Sequence, residues 1–375
     1  MSPSFGPTTA SATIGSTSTF HFALPKSNRA DTVTFMSTDR RPRHAIPMLV
    51  LATALWGLSF PTTKALALAQ QELLPGGSSW FIASLCVVYR FAIAALILLL
   101  FSARTVSRLT RLEFEQGLGL GLFGGAGILL QVDGMAYTTA STSAFLTQCY
   151  CLLIPLWVAW RQRRPPSVRV FLSCAMVIVG VAILAKVDGQ HLNPGRGEWE
   201  TIGASVVFTG QILWLDRPKY AANKVTHFSL VMFAVMTLVC LPVALLTAVR
   251  PADWLRAYSS VATLGFLGIL ISFCTLGGYT LMNRWQRHVS ATQAGLIYCV
   301  EPVFASLFAL FLPAWFSAWS STEYDNEKLS VHLLAGGALI TAANVLIQLP
   351  CATTRRAATG LGDPSAVGRE NQVTG

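Results

Sequence analysis

Ten times between residues 46 and 350 the chain runs apolar for close to twenty residues. A helix needs about 20 such residues to cross the hydrocarbon of a bilayer. The runs are 46–68, 79–101, 116–137, 141–160, 168–186, 199–216, 227–249, 258–282, 290–313 and 331–350. None alternates polar and apolar residues in the way a membrane barrel requires. Composition agrees, with 53% hydrophobic and only 12% charged residues, where a soluble chain carries about 25% charged. The expected fold class is an all-α membrane protein with ten transmembrane helices.

The net charge of +10 would suit a nucleic-acid partner if the cations formed one face. They sit instead in short clusters between apolar runs, so the expected partner is the lipid bilayer and not nucleic acid. Arg40, Arg41, Arg43, then Arg104, Arg108, Arg111, then Arg161, Arg163, Arg164, Arg169 fall on one side. Arg217, Lys219, Lys224, Arg284, Arg287, Arg355 and Arg356 join them, against five cations on the other side. The positive-inside rule then places both termini in the cytoplasm and the chain in the cytoplasmic membrane.

Residues 1–35 hold 13 Ser or Thr and one acid, Asp31. Such a stretch cannot bury enough apolar surface to fold. Residues 1–44 are read as a disordered tail, with a transit peptide or a start at Met36 as the other options. Residues 351–375 are read as a second disordered tail, on the cytoplasmic side.

The eight cysteines form no C-x-x-C, and seven lie inside apolar runs (Cys86, Cys149, Cys151, Cys174, Cys240, Cys274, Cys299). They are read as small buried residues, with no metal and no cofactor expected. No H-E-x-x-H, G-x-S-x-G or Walker A occurs, so no enzyme is expected. GLGLGLFGGAG, 117–127, contains a formal G-x-G-x-x-G. It lies within an apolar run without a βαβ unit, so Gly117, Gly121 and Gly125 are read as a small-residue stripe for close helix packing. Gly265, Gly268, Gly277 and Gly278 are expected to do the same in the eighth run.

AYTTASTSAFLTQCYCLLIPL, 136–156, and WQRHVSATQAGLIYCVEPVF, 285–304, share a design. Each passes from a short Ser/Thr/Ala turn into an apolar helix and reaches a proline. One opens the fourth run and the other the ninth, so 45–186 and 199–350 read as two copies of a five-helix unit. Five is odd, so the second copy is inverted. Loop charge agrees: RQRRPPSVR follows the fourth run, and acidic SSTEYDNEKLS follows the ninth. Inverted repeats typify secondary transporters, with the solute site between the halves.

ALWGLSF in the first run, Arg90-Phe91 in the second, TSAFLTQCYCLLIPL in the fourth and Glu301-Pro302 in the ninth resemble, in order and spacing, the EamA-type permeases of the drug/metabolite transporter superfamily. The resemblance extends over residues 46–350. It implies a ten-helix carrier of two inverted bundles around a central cavity. It further implies export or exchange of small metabolites, often amino acids or related solutes. Two places depart from the pattern. Where many members carry a Gly-Glu pair after the fourth and ninth spans, this chain has RQRRPP and PAWFSAWSSTEYDNEK. The second segment reads as an outer lid or as a variable loop.

Glu301 lies eleven residues into its run, roughly 16 Å deep at 1.5 Å per residue. An ionisable group at that depth faces the protein interior and points to function. It reads as a proton-coupling or substrate-ammonium site, or as a structural acid bonded to a neighbouring helix. Gln293, Ile297 and Glu301 are expected on one stripe, flanked by Tyr298. Gln148, Cys151 and Pro155 share a face of the fourth run. Trp56, Phe60 and Lys64 stack on the first, with Ser59 beside them. Arg90 needs a partner, and Asp133 or backbone carbonyls are the candidates. Lys64 and Asp133 lie nearer the outer ends, where snorkelling serves. Gln131, Gln211, Trp214 and Asn283 complete the candidate cavity residues.

The expected function is secondary-active transport by alternating access, export in direction, with proton coupling through Glu301; a homodimer is compatible with it. Within transport the alternative is a sugar-phosphate or nucleotide-sugar exchanger. From another class it is a non-transporting polytopic sensor or scaffold.

Overall fold

A computed structural model describes residues 44–161, 163, 168–184, 194–289 and 291–348. The tails expected at 1–44 and 351–375 fall outside them, His44 apart. The described residues contain helices and no strand. The first three helices are α1 (Ala45–Leu73), α2 (Ser79–Ser102) and α3 (Arg111–Gly134). Next come α4 (Ala140–Thr147), α5 (Tyr150–Arg161) and α6 (Val168–Leu184). The second half holds α7 (Arg196–Leu215), α8 (Val225–Thr247) and the one-turn α9 (Asp253–Arg256). It continues with α10 (Val261–Ile269), a π-helical segment Leu270–Gly277 and α11 (Gly278–Trp285). The last described helices are α12 (Ala291–Tyr298), α13 (Glu301–Ala309), α14 (Leu312–Ser320) and α15 (Val331–Gln348).

Among the described residues six helical stretches are long and apolar enough to cross a membrane, or seven if the bent pair α13–α14 is one span. α6 and α15 are shorter apolar helices. The chain is a multi-pass membrane protein.

The helix starts are written locally. Thr110 and Glu113 form a reciprocal capping box at α3, and Thr139 and Ser260 accept from the third backbone N–H of α4 and α10. Close packing is also legible. A Cβ on Gly117 or Gly121 of α3 would sit 2.5 Å from Val231 or Val235 of α8. Other glycines of α3 meet α7, where Gly127 faces Phe208 and Gly119 faces Trp214. In the eighth run Gly278 receives Trp56, and Gly265 receives Trp319. Gly268 has open space around it, so the close-packing role expected there does not hold.

The fourth and ninth runs depart from the continuous helices expected. Each is two helices meeting at a break. At the first break Gln148 and Cys149 bond to carbonyls three residues back before α5 begins. At the second, α12 stops at Tyr298 and Pro302 is the second residue of α13. A proline clashes with the carbonyl four residues earlier, here that of Tyr298, and cannot donate to it. Gln293 and Ile297 therefore lie on α12 while Glu301 opens α13, and the single stripe expected for them is interrupted.

The Trp-rich segment after α13 is packed. α13 and α14 meet at 52°. Phe316 and Trp319 stand edge-on to Phe266 of α10, with ring centroids 5.1 and 4.8 Å away. Beyond α14, Thr322 donates to Glu72 of α1, and Glu327 accepts from the backbone N–H of Ser141 in α4. The segment thus packs on the middle of α10 and bonds to the last turn of α1 and the first turn of α4.

Candidate functional site

A cavity opens where the two broken helices face the others. α1 supplies Trp56 and Ser59, and α2 supplies Arg90. Ile128 and Gln131 come from α3, Thr147 and Tyr150 from the first break, and Phe208, Gln211 and Ile212 from α7. Tyr279 and Met282 come from α11, and Tyr298 and Glu301 from the second break. Gly57 lets α1 lie directly on Phe304 and Ala305 of α13, which brings Trp56 and Ser59 beside Glu301.

Glu301 is buried, and Gln148 Nε2 donates to its Oε2 at 3.0 Å. The two broken spans thus touch through this bond. Around the carboxyl stand aromatic rings: Trp56 is edge-on to both Tyr279 and Tyr298, each at 5.6 Å. The Trp56 indole N–H has no hydrogen-bond partner among the described residues. The Tyr298 hydroxyl donates to Gln286 at 2.7 Å. Gln131 Nε2 donates to Thr147 Oγ1 at 2.9 Å, bracing α3 against the first break.

Arg90 is 2% exposed. Its Nε donates to Thr275 Oγ1 at 2.5 Å, and its guanidinium stands 5.3 Å from the Phe91 ring. Thr275 belongs to the π-helical segment, a rare geometry that recurs at functional sites. The partner expected for Arg90 was Asp133 or backbone carbonyls. Asp133 pairs instead with Arg196 at 2.5 Å, and among the described residues no carboxylate is in contact with Arg90.

Seven of the fourteen residues expected from sequence line the cavity: Trp56, Ser59, Arg90, Gln131, Gln211, Tyr298 and Glu301. Gln148 stands behind Glu301. Five others face elsewhere. Phe60 is buried in the apolar core. Lys64 donates to the carbonyls of Met135, at 3.2 Å, and Thr138, closing the end of α3. Asp133 joins Arg196, which also reaches Glu200 at 2.7 Å. Trp214 packs on Gly119 with Arg217 stacked 3.7 Å over its ring. Asn283 donates to Ser229 at 2.9 Å. The Gln293 side chain lies outside the described ones. Sequence reading did not name the wall residues Ile128, Thr147, Tyr150, Phe208, Ile212, Tyr279 and Met282.

The Lys64 contacts make a prediction. Lys64→Met leaves two carbonyls of the α3–α4 turn without their donor, which is expected to cost about 1–3 kcal/mol of stability. Flux per folded molecule should stay at the wild-type level. Thermal unfolding beside reconstituted flux separates the two readouts.

Residues 43–186 match the model of the EamA-like transporter family. The chain carries an EamA-like transporter segment. The resemblance read from the sequence motifs therefore holds over residues 43–186. An uncharacterized transporter of Archaeoglobus fulgidus is 24% identical over 269 residues, 70% of this chain and 76% of that protein. An uncharacterized transporter of Haemophilus influenzae is 29% identical over 145 residues, 36% of this chain and 80% of that protein. A solved crystal structure shares the fold with TM-score 0.51 and 16% identity, covering 84% of this chain and 98% of its own. The family match and the two relatives point to a membrane transporter.

Proposed function

We propose that the EamA-like chain is a secondary-active exporter of small zwitterionic metabolites such as amino acids, working by alternating access with proton coupling at Glu301. One observation carries the reading. One cavity is lined by both the buried guanidinium of Arg90, without a contacting carboxylate among the described residues, and a buried carboxyl at a helix break. The cation suits a solute carboxylate. Glu301 and the rings of Trp56, Tyr279 and Tyr298 suit an ammonium, through charge and cation–π attraction. A sugar phosphate or nucleotide sugar would call for several cations, and among the described residues the cavity wall offers Arg90 alone.

The packing supports two inverted five-helix halves. Number the ten apolar runs in order and exchange each run of the first half with its counterpart five places on. The pair α2–α8 maps onto itself, as does α6–α15. The pair α3–α8 maps onto the π segment against α2, and α3–α7 maps onto α10 and α11 against α1. The pair α1–α13 maps onto α7–α5. The two broken runs, fourth and ninth, also exchange. Interrupted helices at matching places in two repeats are where transporters of this design hold their solute. The family match ends at residue 186, where the first half does. Loop charge favours both termini in the cytoplasm and the cytoplasmic membrane as location.

The test is solute flux in proteoliposomes across a panel of amino acids, sugar phosphates and nucleotide sugars, with and without a pH gradient. Gradient-driven flux of zwitterions is the expected result. Flux confined to the phosphorylated solutes, or none across the panel from folded protein, would overturn the proposal.

A further inference from the structure

Two thiols meet beside the cavity, and the transport reading makes no use of them. Cys151 lies in the first turn of α5, and Cys299 lies in the break between α12 and α13. Their sulfurs are 3.7 Å apart. Both converge on one acceptor: the carbonyl of Gly295 is 3.5 Å from the Cys151 sulfur and 3.2 Å from the Cys299 sulfur. Cys151 also stands 3.4 Å from Gln148 Oε1, the side chain that holds Glu301. Both cysteines are buried, yet their chain neighbours Tyr150 and Tyr298 line the cavity wall. The nearby Cys149 faces away, packed with Leu152, Val177 and Ala343.

We propose that Cys151 and Cys299 form an oxidisable pair whose disulfide ties the two broken helices together and holds the carrier in one conformation. The oxidant is a hydroperoxide, with hydrogen peroxide small and neutral enough to enter the cavity. One cysteine sulfur attacks a peroxide oxygen, the O–O bond breaks, an S–OH forms and one water leaves. The second thiol attacks that sulfur, the S–O bond breaks, the S–S bond forms and a second water leaves. Two thiols and one peroxide thus give one disulfide and two waters, and the sulfurs supply both electrons. The sulfurs begin in contact and have to close to about 2.05 Å, a movement within reach of side-chain rotation. The cross-link joins the fourth run to the ninth, the counterparts in the inverted halves. Its consequence for flux rests on the alternating-access reading, because halves joined at their breaks cannot rock apart.

The experiment treats the full chain in proteoliposomes with hydrogen peroxide, then maps peptides by mass spectrometry and follows flux and thermal unfolding. Wild type is expected to yield a linked Cys151–Cys299 peptide lighter by two hydrogens. It should also lose at least tenfold in flux and unfold at a higher temperature, all reversed by dithiothreitol. Cys151→Ser and Cys299→Ser should lose the link and keep their flux under peroxide, while Cys149→Ser should keep the link. A link through Cys149, or none from protein with an intact unfolding transition, overturns the pairing. A link that leaves both flux and unfolding temperature unchanged overturns the lock. If reduced wild type carries no solute of the panel, the carrier reading fails separately, and the link and the unfolding temperature still decide this one.

Discussion

Glu301→Gln is expected to abolish pH-gradient-driven flux while the protein folds and inserts as before. The substitution keeps shape and volume. The new amide oxygen can accept the same bond from Gln148 Nε2 that Glu301 Oε2 accepts at 3.0 Å. A neutral amide is also no harder to bury than a carboxyl that has to ionise there. The fold therefore loses nothing, and the unfolding temperature should stay level or rise. The charge and the exchangeable proton are lost. A hydrogen bond to a charged group is worth about 1.5–3 kcal/mol, and 1.4 kcal/mol is a factor of about ten. Loss of an ammonium contact alone would then cut flux tenfold or more. Without a titratable group the remaining flux should also be insensitive to the pH gradient. Uptake measured with and without that gradient separates the two losses. Wild-type gradient-driven flux by Glu301→Gln would sink the coupling role and leave the acid as a structural tie to the break between α4 and α5.

The parts of this design legible in the sequence are those that violate the composition of an apolar run. Glu301 and Arg90 stand out because an ionisable group deep in such a run is costly and has to face inward. Both line the cavity. Lys64 and Asp133 carry the same signal and yet turn to the α3 end and to Arg196. Charge alone does not tell which neighbouring helix a side chain meets. The apolar wall was not legible. Tyr150, Phe208, Tyr279 and Met282 look the same in sequence whether they meet lipid, core or solute, and amphipathic patterning is weak where both sides are apolar. The break before Glu301 could be read from Pro302, whose ring ends the helix at Tyr298. The break at Gln148 and Cys149 has no proline at that point, since Pro155 lies well inside α5. The glycine contacts of α3 were legible because a small-residue stripe has one physical use, close approach, and Val231 and Val235 fill it.

Arg90→Met is expected to stop solute flux without lowering stability, and that combination separates binding from structure. Arg90 is 2% exposed, its Nε is bonded to Thr275, and among the described residues its guanidinium touches no carboxylate. A buried cation without a contacting counter-charge is a burden on the folded state. Replacing it with an apolar side chain of similar length removes the desolvation cost and gives up one hydrogen bond, worth about 0.5–1.5 kcal/mol net. The unfolding temperature should therefore hold or rise. A residue kept against stability in this way is explained by function. If the guanidinium takes the solute carboxylate through two parallel bonds, Arg90→Lys should recover only part of the flux, because an ammonium is a point charge without the fork. We expect the order wild type, then Lys roughly tenfold lower, then Met at the leak level. A large fall in unfolding temperature for Arg90→Met, with flux per folded molecule intact, would recast Arg90 as the strut that holds the π-helical segment through Thr275.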